Sequence, residues 1–181
     1  MKNGVLKGSI IIALIILIFS CVIVNVAAEE NTTTMLTLTK GGVVLNYPSD
    51  WGYSQATSND SIMAISKLDS IDSSGIGQIN INVEKRPIEG YDFNTYVNKT
   101  YTSMQYDTSF KLISSGEVVV GGKTGLEYIY ISHDEGGDRE HKAVWFEVGN
   151  EACVIMYSAP VAKFEENSHI FDYILSELKF T

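Results

Sequence analysis

The sequence predicts an α+β domain in which a central, mostly antiparallel β-sheet is flanked by two amphipathic helices. Short runs of β-branched and aromatic residues follow one another along most of the chain, and several are separated only by glycines. Two other segments, one after Asp92 and one after Pro160, repeat apolar residues at the helical period. The composition, with 45% hydrophobic and 19% charged residues, is that of a globular protein. The 181 residues leave room for one domain and an address segment.

A β-hairpin is predicted at the start of this domain. Residues 34–40 alternate polar and apolar side chains, residues 43–47 are rich in β-formers, and Gly41-Gly42 between them is a turn signal. Pro48 ends the second strand because proline cannot donate a ladder hydrogen bond. The side chain of Trp51 is then expected to be buried at one end of the core.

Two more strands are predicted at residues 62–68 and 78–84, joined by a polar loop at residues 69–77. The second of these strands alternates in polarity, with Ile79, Ile81 and Val83 on one face and Asn80 and Asn82 on the other.

The two helices are predicted from their apolar stripes. Asp92 is placed to cap the first helix, whose stripe consists of Phe93, Tyr96, Val97, Tyr101 and Met104. Pro160 stands at the start of the second, where proline is tolerated. Its buried face is expected to contain Phe164, Phe171, Ile174, Leu175 and Leu178.

Two further hairpins are predicted between the helices. Residues 111–120 and 124–132 meet at Gly121-Gly122, and residues 142–148 and 152–158 are joined by a short turn. The last two strands are the most apolar of the domain and are therefore expected at the centre of the sheet. The predicted order is β-β-β-β-α-β-β-β-β-α.

These elements together resemble the PsbP-like domain over about residues 34–181. The resemblance rests on the corner Tyr47-Pro48-Ser49-Asp50-Trp51, the mid-chain helix, the Gly122-Lys123-Thr124-Gly125 strand, two long apolar strands and a Phe-rich closing helix. It implies an α/β/α arrangement, with helices on the faces of the central sheet. The members that give the family its name are extrinsic subunits of the plant oxygen-evolving photosystem, where they bind protein and help to retain ions. No binding residue carries over by position, so the resemblance implies a fold more than an activity.

The first 28 residues have the pattern of an export signal. Lys2 and Lys7 precede an apolar run from Ile10 to Val26, and Ala28 lies at a signal-peptidase site. The run is long for a secretory signal and approaches the ~20 residues of a membrane-spanning helix. Three alternatives remain open: a cleaved signal peptide, a retained transmembrane anchor, and lipidation at Cys21.

All three alternatives place the rest of the chain outside the cytoplasmic membrane, secreted or at its extracellular face. A polar linker is predicted at residues 29–34, followed by the PsbP-like domain at residues 35–181.

The charge of this exported part argues against nucleic acid as a partner. The whole chain has a net charge of −9, and residues 1–28 contribute Lys2, Lys7 and no acid, so 11 basic and 22 acidic residues leave −11 for the remainder. Phosphate backbones and anionic lipid headgroups repel such a surface. The expected partner is a protein or a component of the cell envelope, and the membrane is contacted only through the N-terminal segment.

One polar cluster has the residue types of a divalent-cation site. It consists of His133, Asp134, Glu135, Asp138 and His141, in a hairpin loop at 133–141. Imidazole and carboxylate groups both suit transition metals. The spacing matches no known ligand pattern, however, so a solvated hairpin tip is the plainer interpretation, and no other cofactor is expected.

No catalytic motif occurs in the sequence: there is no Gly-x-Ser-x-Gly elbow, phosphate loop, HExxH or dinucleotide fingerprint. Cys153 lies in an apolar run and is expected in the core. Asn31, Asn59 and Asn98 fit the glycosylation acceptor pattern, although matches of this kind also arise by chance.

The sequence therefore predicts a non-catalytic, exported and membrane-associated domain that binds a protein or cell-envelope partner. Two alternatives stay open. One is a cation- or small-ligand-binding domain that uses the 133–141 loop, and the other is a hydrolase whose site no motif reveals.

Overall fold

The computed structural model describes residues 34–54, 58, 60–134 and 136–181, apart from the side chain of Asp134. The predicted leader, at residues 1–28, and the linker up to residue 33 lie outside these residues. The elements are β1 Met35–Lys40, β2 Val43–Pro48, β3 Trp51–Tyr53, β4 Ser61–Lys67, β5 Asn80–Pro87, α1 Phe93–Met104, β6 Lys111–Val120, β7 Lys123–Asp134, β8 Gly137–Val148, β9 Glu151–Pro160, α2 Val161–Ser176 and β10 Lys179–Phe180.

The mixed α+β class, with antiparallel sheets and two helices, is confirmed. Seven strands form one sheet in the order β3-β4-β5-β9-β8-β7-β6, and every neighbouring pair in it is antiparallel. Of the two most apolar strands, β9 is the central strand of this sheet and β8 lies next to it, as their composition predicts.

The predicted central antiparallel sheet is present, but it does not include every strand. The first hairpin, β1 and β2, forms a separate three-stranded sheet with the two-residue strand β10. Neither β10 nor β3 was predicted, because strands of two or three residues leave no periodic signal in the sequence. Gly41-Gly42 does form the predicted turn, with φ of 58° and 74°, a conformation that glycine adopts without steric cost.

Strand alternation divides the buried side chains of β8 and β9 between two apolar clusters. Val144, Phe146, Cys153, Ile155 and Tyr157 pack with α2 and with the buried residues of β2. Ala143, Trp145, Ala152 and Val154 pack with residues of α1 on the opposite face. We call these the α2 face and the α1 face of the seven-stranded sheet.

Helix α1 begins as its cap residue predicts. The Asp92 carboxylate accepts a hydrogen bond from the Thr95 backbone N–H at 2.9 Å, which satisfies one of the orphan donors of the first turn. Val97 and Tyr101 are the buried residues of its stripe. The Tyr101 ring stacks on Tyr128 of β7 with 3.7 Å between ring centroids, and its hydroxyl accepts a hydrogen bond from Trp145 Nε1 at 2.9 Å.

Helix α2 follows directly from Pro160, the last residue of β9. Its buried residues include Phe164, Phe171, Ile174 and Leu175, as the apolar stripe predicts. Leu178, the fifth predicted residue, lies beyond the end of the helix and is partly buried, and the buried Asn167 was not predicted. The Tyr157 hydroxyl donates to the Phe164 carbonyl at 2.8 Å and ties the helix to the sheet. Neither helix in the described part of the chain has the length and hydropathy that crossing a membrane requires.

The region predicted as a loop at residues 133–141 is instead the end of a long hairpin. Strands β7 and β8 continue to the pair Asp134 and Gly137. Polar side chains do not interrupt these strands, because the backbone groups are satisfied by the neighbouring strand whatever the side chain is.

Replacement of Phe171 by Ala is expected to lower the free energy of unfolding by about 3–5 kcal/mol, because it removes a fully buried ring and leaves a cavity. Tyr173→Ala on the same helix is the matched control, since this ring is 42% exposed and its loss should change stability by only about 0.5 kcal/mol. Urea unfolding of both variants measures the difference. Equal losses would contradict the assigned face of α2.

Candidate functional site

A polar cleft lies on the α1 face of the seven-stranded sheet, beyond the part that α1 covers. It has a volume of about 660 Å³. Its floor comes from the three adjacent strands β5, β9 and β8, which contribute Asn80, Asn82, Met156, Ser158, His141 and Arg139. Its wall is the loop between β4 and β5, which contributes Asp72, Ile76, Gly77 and Gln78. Polar side chains at the centre of a sheet are unusual, and so this surface is the candidate site.

His141 is held between two serines at one end of the floor. Its Nδ1 lies 2.7 Å from Ser158 Oγ, and its Nε2 lies 2.8 Å from Ser132 Oγ. The imidazole also stacks on Tyr130, with 4.6 Å between ring centroids. The ring is therefore fixed in position by both neighbouring strands and by the aromatic cluster beneath α1.

A row of polar residues runs along β5, from Asn82 on the cleft floor to Glu84 and Arg86 beyond it. Asn82 Oδ1 accepts a hydrogen bond from Ser61 Oγ, and Asn82 Nδ2 donates to Glu84 Oε1 at 2.8 Å. Glu84 is only 6% exposed, and its other oxygen accepts from Arg86 Nη2 at 2.6 Å. The buried carboxylate is thus hydrogen-bonded on both oxygens, as a buried charge requires.

Arg86 completes this row with a second acid. Its Nε lies 3.2 Å from Asp60 Oδ2 but makes no hydrogen bond there, so the contact is an ion pair with an unfavourable angle. Burial alone would lower the pKa of Arg86, but the charges of Glu84 and Asp60 outweigh it and raise the pKa. The guanidinium remains charged, and it neutralises Glu84 inside the protein.

The wall of the cleft is an ordered loop. The Asp72 carboxylate accepts hydrogen bonds from the backbone of Ser74 and Ile76 and from Gln78 Nε2 at 2.7 Å. These hydrogen bonds, with that from the Ser74 hydroxyl first among them, lower the pKa of Asp72. Arg139 Nη2 donates to the Gln78 carbonyl at 2.7 Å, which links the loop to β8 across the cleft. Gly77 has no Cβ, and one at this position would overlap the hydroxyl of Ser66.

Solved structures of known proteins share this architecture. Comparison with protein-family models and with curated proteins gives no match. The cyanobacterial PsbP (CyanoP) of Synechocystis sp. PCC 6803 is similar in fold, with a TM-score of 0.58 and 12% identity, over 87% of this chain and 99% of that one. LpqN of Mycobacterium tuberculosis, which is involved in cell envelope biogenesis, gives a TM-score of 0.55 and 12% identity, over 84% of this chain and 93% of LpqN.

The fold is PsbP-like. A third structure agrees: PA94 of Pseudomonas aeruginosa, a protein of unknown function described as a putative regulator, gives a TM-score of 0.52 and 13% identity, over 78% of this chain and 94% of PA94. At these identities the likeness concerns the fold alone.

The PsbP-like fold separates the residues of the predicted cation site. His133 and Asp138 are cross-strand partners near the hairpin tip, with His133 Nδ1 2.8 Å from Asp138 Oδ1. Alternation places this pair on the α2 face, whereas His141 stands on the α1 face beside Tyr130. Glu135 and the side chain of Asp134 lie outside the described residues. In the described part, no three His, Cys, Asp or Glu side chains come together as a metal site, and the cation site stays a prediction.

The three glycosylation candidates also stay predictions. Asn31 and Asn59 lie outside the described residues. Asn98 lies within α1, and its Oδ1 accepts a hydrogen bond from the Tyr128 hydroxyl at 2.7 Å. In the folded protein this side chain helps to fix α1 on the sheet.

Sequence reasoning found only part of the cleft. The alternation of residues 78–84 places Asn80 and Asn82 on the face opposite Ile81, and this is confirmed. His141 and Ser158 were missed as partners, because one was assigned to a loop and the other to the end of a strand. The useful signal was that serine, asparagine and histidine interrupt otherwise apolar central strands on one face only.

If the hairpin tip binds a divalent cation, His133→Ala should abolish the increase in melting temperature that Mn²⁺ or Zn²⁺ produces, because it removes one of the two paired ligands. His141→Ala is the matched control and should retain the increase, since this ring lies on the other face. Thermal unfolding with and without the ion measures both. Loss of the effect in His141→Ala alone would contradict the separation of the two histidines.

Proposed function

We propose that this chain is a non-catalytic, exported and membrane-associated domain that recognises a protein or other cell-envelope partner through the polar cleft. The observation that carries the proposal is the floor of β5, β9 and β8. There, a concave surface of hydrogen-bonding side chains occupies the centre of a sheet that is otherwise covered by apolar packing. Sites of this kind, largely preformed and with a few converging polar groups, are typical of ligand binding.

The internal hydrogen bonds of the cleft support binding by a rigid surface. Asn82 and Ser158 are each less than one-tenth exposed and are held by Ser61, Glu84 and His141. A floor fixed in this way loses little conformational entropy when a partner docks. The two apolar clusters on opposite faces of β8 and β9 support the α/β/α arrangement that positions it.

The geometry of His141 supports a non-catalytic role more than hydrolysis. Ser158 and His141 are adjacent in the cleft, as a nucleophile and its base are in serine hydrolases. Both ring nitrogens of His141, however, lie within hydrogen-bond distance of serine hydroxyls, and Ser158 is only 4% exposed. A nucleophile has to reach a substrate carbonyl, and a hydroxyl this deeply buried is poorly placed to do so.

The location of the proposed partner follows from the leader and from the charge. The apolar segment between Ile10 and Val26 supports export, with the domain secreted or held at the extracellular face of the membrane. LpqN, which shares the fold, is involved in cell envelope biogenesis, and this supports an envelope partner for the present chain. The net charge of the exported part disfavours nucleic acid.

Asn80→Tyr is expected to reduce recovery of the specific partner by at least about tenfold, because a bulky ring on the cleft floor overlaps the docked partner. His169→Tyr introduces the same side chain on the exposed surface of α2 and should leave recovery unchanged. Chemical cross-linking to membrane fractions, followed by quantitative pull-down, compares the two variants with the original protein. Melting temperatures confirm that both variants fold.

Two results would overturn this proposal. One is equal recovery of the partner with Asn80→Tyr and with the original protein. The other is the absence of any specific partner when the original protein is used.

Labelling with serine-reactive fluorophosphonates tests separately whether Ser158 is a catalytic nucleophile. No labelling of Ser158 is expected in the folded protein, because its hydroxyl is buried against His141. Mass spectrometry of the treated protein detects a single added phosphonyl group. Stoichiometric labelling that disappears in both Ser158→Ala and His141→Ala would identify a hydrolase instead.

A further inference from the structure

A second, smaller cavity lies between α1 and the sheet, next to the polar cleft. We call it the inner pocket. Its volume is about 180 Å³. Six of its lining residues are aromatic or aliphatic, namely Tyr101, Tyr130, Trp145, Met104, Val154 and Met156, and Thr100 and the ion pair of Glu84 with Arg86 complete the lining. A cavity of about 150 Å³ with apolar walls accommodates benzene, so the inner pocket has room for a phenyl or isobutyl group.

The inner pocket and the polar cleft are neighbours that share one wall. Met156 lines both cavities, and its sulfur accepts a hydrogen bond from the Tyr130 hydroxyl at 3.3 Å. Tyr130 of the pocket stacks on His141 of the cleft, and Asn82 of the cleft donates to Glu84 of the pocket. Methionine is an adaptable apolar side chain, so Met156 can adjust to a ligand that occupies both cavities.

The cleft floor offers a donor and an acceptor on the same side of the sheet as Met156. Asn80 Nδ2 donates to the Gly77 carbonyl at 2.8 Å, and its Oδ1 accepts no hydrogen bond from any described residue. Asn82 uses one of its two N–H donors on Glu84, which leaves the second without a partner among the described residues. A group that carries both an N–H and a carbonyl satisfies both side chains at once, and an amide is the simplest such group.

We propose that the cleft and the inner pocket form one site for a ligand that joins a benzene-sized apolar group to an amide. The apolar group enters the inner pocket beside Met156, and the amide is hydrogen-bonded by Asn80 and Asn82. A free amino-acid derivative and a Phe or Leu side chain presented by a partner protein have this chemistry in common. The inference rests on the proposed function, since it names the chemical feature that the cleft recognises in its partner.

Titration with blocked amino acids tests the proposal. N-acetyl-phenylalaninamide and N-acetyl-leucinamide should bind at least about tenfold more tightly than N-acetylglycinamide, because only they have a side chain to bury. The readout is the ¹H–¹⁵N spectrum of the full chain. The indole N–H of Trp145 in the pocket wall should shift, whereas that of Trp51, which belongs to the other apolar cluster, should not.

Two variants of α1 test whether the apolar group of the ligand binds in the inner pocket. Thr100 lines the inner pocket, so Thr100→Phe should fill it and weaken phenylalaninamide binding by at least about tenfold. Thr102→Phe adds the same ring on the exposed side of the same helix and should leave binding unchanged. Met156→Ala removes the side chain that lines both cavities and so enlarges the space available to a ligand. This variant should bind the larger N-acetyl-naphthylalaninamide more tightly than the original protein does.

A blocked Gly-Gly-Phe-Gly-Gly peptide distinguishes the two sources. Binding at least as tight as that of phenylalaninamide indicates a side chain of a partner protein, and failure to bind while phenylalaninamide binds indicates a free small molecule. The proposal is overturned if phenylalaninamide binds no better than glycinamide, or if Thr100→Phe binds it as well as Thr102→Phe does. Neither of those results alters the partner recovery measured with Asn80→Tyr, so the two proposals fail independently.

Discussion

The antiparallel register of β5, β9 and β8 determines where the core and the cleft of this protein lie. Ile81 pairs with Tyr157, and Tyr157 pairs with Lys142 on the next strand. A shift of one residue in β9 would turn Tyr157 away from α2 and toward Asn82. Both faces oppose such a shift, since one would lose its apolar contacts and the other would lose the hydrogen bond between Ser158 and His141. The core and the cleft are therefore two consequences of the same strand pairing.

The cleft is open because helix α1 is short and because the side chains of β5 that it leaves uncovered are polar. Helix α1 has 12 residues, a length of about 18 Å. Its residues line the inner pocket together with Glu84 and Arg86, whereas the lining of the cleft includes no residue of α1. Apolar residues on that uncovered part of the face would be exposed to water. Asn80 and Asn82 avoid this cost, but the buried Asn82 must then be hydrogen-bonded, because a buried polar group without a partner destabilises the fold by about 1–3 kcal/mol. The hydrogen bonds of Asn82 with Ser61 and Glu84 meet that requirement, and Glu84 in turn accepts from Arg86.

The sequence predicted those features that depend on local patterns. The apolar stripes of α1 and α2, the Asp92 cap and the Gly41-Gly42 turn each follow from residues close together in the chain, and all are confirmed. The cleft depends on residues far apart, since His141 meets Ser158 only after β8 and β9 have paired. The segment from His133 to His141 is polar on both faces, so its alternation carries no signal, and a loop was predicted where the hairpin continues. The strand β10 escaped notice because its pairing partner, β2, lies more than a hundred residues earlier.

The charge of the domain restricts how such a site finds its partner. Residues 29–181 have a net charge of −11, from 11 basic and 22 acidic residues, whereas Arg139 and Asp72 bring opposite charges to the cleft itself. Long-range attraction therefore favours only a basic partner, and it acts on the whole surface and not on the cleft. At the proposed site, selectivity has to come from short-range contacts: hydrogen bonds that Asn80 accepts and Asn82 donates, and the fit of an apolar group beside Met156. Such contacts act mainly after the first encounter, so they determine how long a partner stays bound more than how often it arrives.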